Sequence, residues 1–367
     1  MKCDFLIVGA GFSGSVLAER IANDLKKDVI IIEKRNHIGG NCYDEFDEHG
    51  IFIHRYGPHL FHTNNKEIVD YLSQFTNWYE YQHRVLAYSK GEYYPIPINK
   101  ETINRVYKIN LRNEEEVKAF LDNIREKRFP IKNSEDIIVN QLGLELFERF
   151  FKYFTYKQWN YYPQDLSPSV CGRIPVRYDS DDRYFQDKFQ ILPEDGFTKM
   201  FEKILNNNRI SLILGHDFKK IINSINHKYL IYTGPIDYFF DYKFGKLPYR
   251  SIEFRFQNFK LESYQPAPVV NYVEKEVPYT RATEYKKITG QKSNSTTVSF
   301  EYPNSGEEPY YPILNDVNFA LFKKYESEAK KCRNLILCGR LAEYRYYNMD
   351  QVVARALHTY KTIINHL

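Results

Sequence analysis

The chain has 367 residues, of which 43% are hydrophobic and 27% charged, a composition typical of a globular protein with two or three domains. Its formal net charge of +4 is too small and too dispersed to indicate a nucleic-acid-binding protein, and no apolar run approaches the roughly 20 residues that span a bilayer. Five cysteines are scattered without a CxxC pair, which argues against a zinc centre or a disulfide framework.

The N-terminal stretch MKCDFLIVGAG has a short apolar run that ends in a glycine turn, without the cleavage site of a secretory signal, so we expect a cytoplasmic protein. Phe5–Val8 is apolar throughout, as in a buried parallel strand. It leads into Gly9-Ala-Gly11-Phe-Ser-Gly14 and then an amphipathic helix, and a second strand over residues 28–32 ends at Glu33. This strand–turn–helix–strand series predicts a dinucleotide-binding Rossmann unit.

Each part of the turn has a physical role. Gly9 makes the tight bend, Gly11 leaves room for a pyrophosphate, and Gly14 lets the helix pack closely against the strand. The helix N-terminus favours phosphate, and the acidic residue after the second strand can accept hydrogen bonds from the ribose hydroxyls. The cofactor-binding residues expected here are Gly9, Gly11, Phe12, Ser13, Gly14, Glu33 and Lys34.

The continuation of the chain favours FAD over NAD. Gly39-Gly40-Asn41 follows the second strand, and this glycine pair resembles the FAD-binding family that includes amine oxidases and desaturases. Another apolar strand, Asn334–Cys338, precedes Gly339-Arg340 and a predicted helix at Met349–Leu357. In such folds this late unit returns to the first domain and contacts the flavin, which makes the cofactor domain discontinuous.

The stretch HRYGPHLFHT places His54, His59 and His62 within ten residues. Their spacing matches none of the common zinc patterns, so we expect no metal site. Gly57-Pro58 predicts a turn that holds the histidines on a rigid loop. We favour a wall against the flavin ring, because an imidazole is flat and polar; ordinary hydrogen-bonded loop histidines are the alternative.

Residues 101–159 have helical character. Asn113–Glu116 resembles a capping box, and Ser134 is the expected N-cap of one long amphipathic helix from Ile137 to Phe154. Prolines and a glycine then interrupt residues 161–177, which we interpret as a long loop and a candidate lid.

Alternating apolar and polar residues over 252–256, 269–273 and 296–300 predict strands of a mostly antiparallel sheet, with Pro95–Pro97 at an edge or turn. The predicted fold class is therefore α/β, with a discontinuous FAD-binding Rossmann-like domain, an inserted helical domain and an antiparallel sheet domain. The expected domain bounds are 1–79, 195–242 and 316–367 for the FAD-binding domain, 101–172 for the helical domain with its lid, and 80–100, 173–194 and 243–315 for the sheet domain.

The chain also carries a series of short motifs in a fixed order. They are HRYGPHLFHT, Tyr156–Trp159, Arg173–Arg177, Tyr232–Asp237, Leu247–Arg250, Pro278–Arg281, Tyr310–Pro312, Gly339–Tyr344 and Tyr346–Met349. Each motif is weak alone, but the ordered set resembles that of the UDP-galactopyranose mutase family over essentially the full length of the chain. The resemblance implies interconversion of UDP-galactopyranose and UDP-galactofuranose by attack of reduced FAD, through its N5, on the anomeric carbon, without net redox.

The same resemblance implies roles for individual residues. Arg173 and Arg281 would be the catalytic pair at the diphosphate, where guanidinium forks suit leaving-group charge. The implied substrate-binding residues, with tyrosines at the phosphates and the helical segment at the uridine, are Phe150, Phe154, Thr155, Trp159, Tyr184, Asn271, Tyr311 and Tyr346. The remaining implied cofactor-binding residues are Gly40, Asn41, His59, Leu60, Arg340, Tyr347, Asn348, Met349, Asp350 and Gln351.

Two positions depart from the family pattern. Phe154 stands where the family often has tyrosine, so a ring for stacking is kept but a hydroxyl contact is lost. Asn348 stands where many members carry aspartate, and Asp350 is not an obvious replacement. The charge next to the flavin therefore differs from that of many relatives.

Two other functions remain open to the sequence. A FAD oxidoreductase of the amine oxidase or desaturase type shares the fingerprint, but the arginine pair points to a diphosphate. A binding-only relative, like the GDP-dissociation inhibitors, need not keep the glycines and Glu33. The predicted partners are the two nucleotide sugars and a reductant such as NAD(P)H, with no nucleic acid and no membrane span. A homodimer is one candidate assembly, and acceptance of N-acetylated sugars is left open.

Overall fold

The computed structural model describes residues 1–172, 175–306 and 308–364. Its strands are β1 (Lys2–Val8), β2 (Val29–Glu33), β3 (Asp44–Phe46), β4 (Phe52–His54), β5 (Phe61–Thr63), β6 (Trp78–Glu80), β7 (Val85–Ser89), β8 (Glu92–Ile96), β9 (Phe189–Pro193), β10 (Ile210–Leu214), β11 (Asn226–Tyr232), β12 (Tyr249–Phe259), β13 (Val269–Tyr272), β14 (Arg281–Glu284), β15 (Thr296–Asn304), β16 (Tyr311–Pro312) and β17 (Leu335–Leu337).

Its helices are α1 (Phe12–Asp24), α2 (Lys66–Leu72), α3 (Lys100–Tyr107), α4 (Glu114–Ile124), α5 (Ser134–Leu142), α6 (Leu144–Leu146), α7 (Tyr153–Trp159), α8 (Pro168–Cys171), α9 (Phe197–Ile204), α10 (Phe218–Ile221), α11 (Ile236–Phe239), α12 (Lys286–Thr289), α13 (Asp316–Ala329) and α14 (Met349–Ile364). A π-helical turn, Phe147–Lys152, joins α6 to α7.

A five-stranded parallel sheet carries the predicted Rossmann unit, in the order β10-β2-β1-β11-β17. The central segments Phe5–Val8 of β1 and Val29–Ile32 of β2 are apolar because both faces of the sheet are covered there. On one face Phe5 and Ile7 pack against α1 and α14, and on the other Leu6 packs with Phe218 and Tyr232. The sheet draws its strands from both ends of the chain and from its middle, which confirms a discontinuous α/β unit.

The helical insert between β8 and β9 consists of shorter helices than the sequence predicts. Asn113 caps α4 through an acceptor bond from the Glu116 N–H, as the capping box predicts. The expected cap at Ser134 is wrong: Asn133 caps α5, and the Ser134 hydroxyl donates to the Ser167 carbonyl instead. The single long helix is also wrong, because Gly143, at φ 81°, ends α5 and the chain restarts as α6, the π-helical turn and α7.

A seven-stranded sheet forms the third part, in the order β16-β12-β15-β14-β13-β7-β8. The neighbouring strands are antiparallel except β13 and β7, which run parallel, so the mostly antiparallel prediction is confirmed. Pro95 lies in the edge strand β8, where a missing N–H is tolerated.

The small sheet β5-β9-β6 links regions far apart in sequence. Its central strand β9 falls in the range predicted for the sheet domain, yet it pairs with β5 and β6. The predicted domain bounds therefore stay a prediction. Within the described ranges, no helix is both long and apolar enough to cross a bilayer.

Candidate active site

The glycine turn lies between β1 and α1 at the carboxyl end of the parallel sheet. Gly9 has φ 104°, and a Cβ there would lie 2.1 Å from the Thr233 hydroxyl oxygen. A Cβ on Gly14 would lie 1.9 Å from the Gly9 carbonyl oxygen, so only glycine lets α1 approach β1 this closely. Phe12 and Ser13 are buried beside the turn. The amides at the start of α1 are thus presented next to the turn, as phosphate binding requires.

Glu33 ends β2 next to this turn. Its buried carboxylate accepts hydrogen bonds from the Ala10 N–H at 2.9 Å and the Arg35 N–H at 2.9 Å. Each carboxylate oxygen keeps a lone pair for a further donor such as a ribose hydroxyl. Lys34, half exposed, instead forms an ion pair with Glu308 at 2.7 Å.

The second glycine turn meets the first. A Cβ on Gly40 would lie 3.1 Å from the Gly11 Cα, so the two backbones are in contact. Asn41 beside it accepts a hydrogen bond from the Arg35 guanidinium at 3.0 Å. The close turns, the helix N-terminus and the carboxylate are groups that suit the pyrophosphate and ribose of a dinucleotide.

The histidine loop forms a wall of the main cavity. The His59 N–H donates to the ring nitrogen Nδ1 of His54 at 3.0 Å, and the His59 ring contacts the Gly57 carbonyl at 2.9 Å. Burial lowers the pKa of His59 to about 3 and that of His54 to about 4, so both rings are neutral at physiological pH. His59 and Leu60 line the cavity.

The segment before and into α14 lines the same cavity. Its cavity-lining residues are Arg340, Tyr347, Asn348, Met349 and Gln351. Asp350 is not among the lining residues: its carboxylate accepts a hydrogen bond from the Thr63 hydroxyl at 2.9 Å and so ties α14 to β5. The Asn348 N–H donates to the Gln351 side chain at 2.9 Å, which orders the start of the helix.

The cavity, of about 1080 Å³, continues from this wall to the helical insert. There α7 contributes Phe154, Thr155 and Trp159, and β13 contributes Asn271. Phe150, expected at this site, packs in the core of the insert, with its ring centroid 5.4 Å from that of Tyr94. The π-helical turn changes the side-chain spacing at this point, and Phe151 faces the cavity instead.

Arg281 is a cation inside the cavity. Its guanidinium lies 3.4 Å from the Glu301 carboxylate and 3.4 Å from the Asn271 side-chain oxygen. Burial opposes its charge, but Glu301 and the hydroxyls of Tyr184, Tyr311 and Tyr346 keep the pKa of Arg281 above its usual value. Its side chain is 30% exposed, toward the cavity, whereas that of Glu301 is 2% exposed. Arg281 is therefore charged and available to an anion.

Three tyrosines complete this end. The rings of Tyr311 and Tyr346 stack at 5.7 Å with an angle of 18° between their planes. The Arg340 guanidinium lies 5.0 Å from the Tyr311 ring centroid, and Tyr184 lines the cavity opposite. The other predicted diphosphate residue, Arg173, lies outside the described residues.

Several contacts in the cavity were not predicted from the sequence, although His62 itself belongs to the predicted histidine loop. The His62 ring bonds the Asp187 carboxylate at 2.9 Å and stacks on Phe185 at 3.6 Å. His83 is buried in the same wall, and burial lowers its pKa to about 3. Glu301 could have been found as the one charged residue in strand β15; the His62–Asp187 pair joins residues too far apart in sequence for any local signal.

Two family models match the chain. UDP-galactopyranose mutase matches residues 149–346, and an NAD(P)-binding Rossmann-like domain matches residues 7–75. The chain is 38% identical to the probable UDP-galactopyranose mutase of Klebsiella pneumoniae, over 97% of this chain and 93% of the relative. It is 37% identical to the dTDP-fucopyranose mutase of Escherichia coli, over 96% of each chain.

A crystal structure of reduced UDP-galactopyranose mutase covers 100% of this chain and 95% of its own, with a TM-score of 0.79 at 17% identity, and so shares the fold. The Rossmann sheet carries two contacting glycine turns, and the start of α14 lines the cavity that contains Arg281. These features define a flavin-dependent enzyme. The chain aligns over nearly its whole length with relatives that are named as mutases, and this identifies it as an isomerase. The chain belongs to the UDP-galactopyranose mutase family.

Proposed function

We propose that this protein interconverts UDP-galactopyranose and UDP-galactofuranose with FAD in its reduced form. The observation that carries the proposal is the position of Arg281. It lies in one cavity with the histidine wall at the flavin end and with Thr155 and Trp159 at the other end. A nucleoside diphosphate sugar that reaches from α7 to the flavin would bring its diphosphate to this guanidinium.

The residues present fit the cofactor. The amides at the start of α1 would hold the pyrophosphate, Glu33 the ribose, and His59 with the segment 347–351 the flavin ring. When bound and reduced, the flavin supplies a nucleophilic nitrogen for the anomeric carbon of the sugar, without net oxidation of the substrate.

The protein's own task is to handle the charge of the departing diphosphate. Arg281 offers a fixed guanidinium fork, already charged and already oriented by Glu301. Tyr184, Tyr311 and Tyr346 place hydroxyl groups around it. Donors that are fixed before the reaction need no reorganisation as negative charge develops, which is the main source of such stabilisation.

The neutral histidine wall suits this chemistry as well. A protonated imidazole beside the anomeric carbon would oppose the positive charge that develops as the diphosphate leaves. His59, which lines the cavity, avoids this because burial keeps its pKa far below neutrality. The one N–H of the neutral His59 ring is donated to the Gly57 carbonyl at 2.9 Å, so its other ring nitrogen is left as an acceptor.

We further propose that the segment 161–177 closes over the bound nucleotide and brings Arg173 to the diphosphate. The segment's described part includes α8, and Ser167, Val170 and Cys171 line the cavity, which supports the proposal. Amide hydrogen exchange with and without UDP tests it. Closure predicts slower exchange across 161–172 with UDP; unchanged exchange contradicts it.

The sugar itself needs a direct test, because the close relatives carry names with two different nucleotide sugars at nearly equal identity. The galactose nucleotide is proposed on the ordered motifs; dTDP-fucopyranose is the second candidate. The partners would be a reductant such as NAD(P)H and, for the assembly, a second copy of the chain, within the cytoplasm.

The deciding experiment incubates the purified protein with UDP-galactofuranose or with dTDP-fucopyranose, each with and without dithionite, and separates the products by chromatography. Formation of UDP-galactopyranose only under reduction supports the proposal. Faster turnover of the fucose nucleotide would transfer the proposal to that sugar. Equal turnover by oxidised and reduced protein would contradict the reduced-flavin mechanism, and net oxidation of substrate would favour an oxidoreductase.

A further inference from the structure

Lys157 lies on α7, the helix that carries Thr155 and Trp159, but it is not among the residues that line the cavity. Its ammonium group donates to three main-chain carbonyls, those of Tyr272 at 2.7 Å, Val277 at 2.9 Å and Tyr279 at 3.0 Å. An ammonium has three N–H donors, so these contacts use them all.

The accepting carbonyls belong to one short segment. It connects Asn271 on β13 to Arg281 on β14, and both of these residues line the cavity. Lys157 therefore does not pair with a side chain, as a surface lysine does. It fixes the backbone between the two strand residues that contact the proposed nucleotide site.

A second cation makes the reciprocal contact. Arg250, on β12 and 4% exposed, donates from Nε to the Gln158 carbonyl at 2.9 Å and from a terminal nitrogen to the Lys157 carbonyl at 3.3 Å. These carbonyls lie in the last turn of α7, where intrahelical partners are lacking. The helix thus holds the sheet segment, and the sheet holds the helix end.

Burial lowers the pKa of Lys157 to about 8, and the carboxylates of Glu274 and Glu276 partly offset that fall. The charge is thus kept in a site where desolvation opposes it. Apolar packing would stabilise the fold at a lower desolvation cost than a buried ammonium does. The three carbonyl acceptors around Lys157 instead fix the distance and the angle between α7 and the segment that carries them.

We propose that Lys157 is a positioning residue, which sets the distance between the nucleoside-binding face of α7 and the diphosphate-binding Arg281. The proposal rests on the proposed function, because it takes the ligand to be a nucleoside diphosphate sugar that touches both elements. Loss of the Lys157 ammonium should let α7 and the segment that leads to Arg281 move apart, without a change in flavin binding.

The test compares Lys157→Met with the wild type as flavin-loaded enzyme. UDP affinity is measured by calorimetry, KM and kcat by chromatographic assay, and flavin content by absorbance. We expect UDP binding to weaken about tenfold or more and KM to rise equally, while kcat changes less than about threefold and flavin content stays the same. Lys157→Arg, which keeps charge and donors, should recover at least part of the affinity.

The matched control is Lys152→Met. Lys152 precedes α7, has a side chain that is 32% exposed and forms an ordinary ion pair with Glu148 at 3.0 Å, so UDP affinity and KM should not change. Lys157→Gln keeps two N–H donors and is measured in parallel, so that a folded variant is available if the methionine variant aggregates.

Wild-type UDP affinity and KM in any folded methionine or glutamine variant would overturn the proposal. So would equal losses in the arginine and methionine variants, or a loss of flavin together with UDP. Failure of the proposed function has a different signature, namely a wild-type enzyme that binds flavin and turns over neither nucleotide sugar.

Discussion

The proposed flavin end and the proposed substrate end of the cavity are built in different ways. The flavin end uses main chain: the contacting glycine turns at Gly9–Gly14 and Gly39–Gly40, a helix N-terminus, and one carboxylate. The substrate end uses side chains brought from the insert and the seven-stranded sheet, with Arg281 held by Glu301 on the neighbouring strand. A site made of backbone is defined by local conformation, whereas a site made of side chains depends on how distant elements pack.

The largest expected effect breaks the flavin end. Gly14→Ala would place a Cβ 1.9 Å from the Gly9 carbonyl oxygen, so α1 must move away from β1. We expect the free energy of unfolding to fall by about 3 kcal/mol or more, with little flavin retained. Urea unfolding and flavin absorbance measure this. A stable, yellow variant would show that the helix can move without loss of the turn.

The next effect tests the substrate end. Arg281→Ala should lower kcat about 100-fold or more with flavin content unchanged, because a preset donor to the leaving diphosphate is lost. The change also leaves the Glu301 carboxylate without its partner, so Arg281→Lys is measured with it: it should regain stability but little of the turnover.

The matched control for that prediction is Arg255→Ala. Arg255 is an exposed arginine on the same sheet, ion-paired with Glu253 at 2.7 Å, and its loss should leave turnover near normal. Near-normal turnover of Arg281→Ala would remove the residue from the mechanism, and loss of flavin would reassign it to the cofactor.

A third prediction uses pH to compare the two ends. His54, which accepts a hydrogen bond from the His59 N–H, and His83, which lines the cavity, have pKa values lowered by burial to about 4 and about 3. The unfolded chain therefore binds protons that the folded chain does not, so the stability falls as the pH falls below about 6.5. Between pH 7 and pH 5 each ring should cost about 2 kcal/mol.

Urea unfolding at both pH values, at one saturating FAD concentration, gives this difference. His83→Asn should remove about one such increment from the acid loss, whereas the exposed His216→Asn should leave it unchanged. An acid loss that is the same in all three proteins would mean that His83 is protonated in the folded state.

The smallest expected effect concerns the position of the pyrophosphate at the proposed flavin end. A Cβ on Gly11 would meet the Gly40 Cα at 3.7 Å, an ordinary contact, so Gly11→Ala should fold as stably as the wild type without cofactor. It should nevertheless weaken FAD binding about tenfold, or about 1.4 kcal/mol, because the new methyl group takes space proposed for the pyrophosphate. Flavin titration of the apoprotein measures this, and unchanged affinity would place the pyrophosphate elsewhere.

This contrast also explains what the sequence could predict. The turn, both strands beside it and α1 follow from a local pattern, and the structure has them. The expected Ser134 cap failed because Asn133 competes for the same helix end, and the long helix failed at Gly143. The role of Phe150 at the substrate stays a prediction: it lies within a π-helical turn, which side-chain periodicity does not show, and it is Phe151 that lines the cavity.

Other features depend on the tertiary structure alone. The three carbonyls at Lys157 and the Asp187 partner of His62 lie more than 100 positions away from these residues in the sequence. No local motif predicts the contacts of Lys157, because every residue has a main-chain carbonyl that could accept. The Arg281–Glu301 pair is intermediate: alternation predicted the strand at 296–300 that leads to Glu301, but not β14 with Arg281, and only the pairing of β14 with β15 places the charges opposite each other.

The strand order β10-β2-β1-β11-β17 has a consequence for how the protein is made. β1 and β2 are synthesised first, but their outer neighbours come from residues 210–214 and 226–232, and the last strand from 335–337. During translation the outer edges of β1 and β2 therefore stay unpaired until their partner strands have been synthesised. The cavity wall at 347–351 is completed only when most of the chain exists. A complete FAD site therefore requires the long-range pairing of β1 with β11, in which Lys2 lies opposite Asn226, and we expect FAD to bind late in folding.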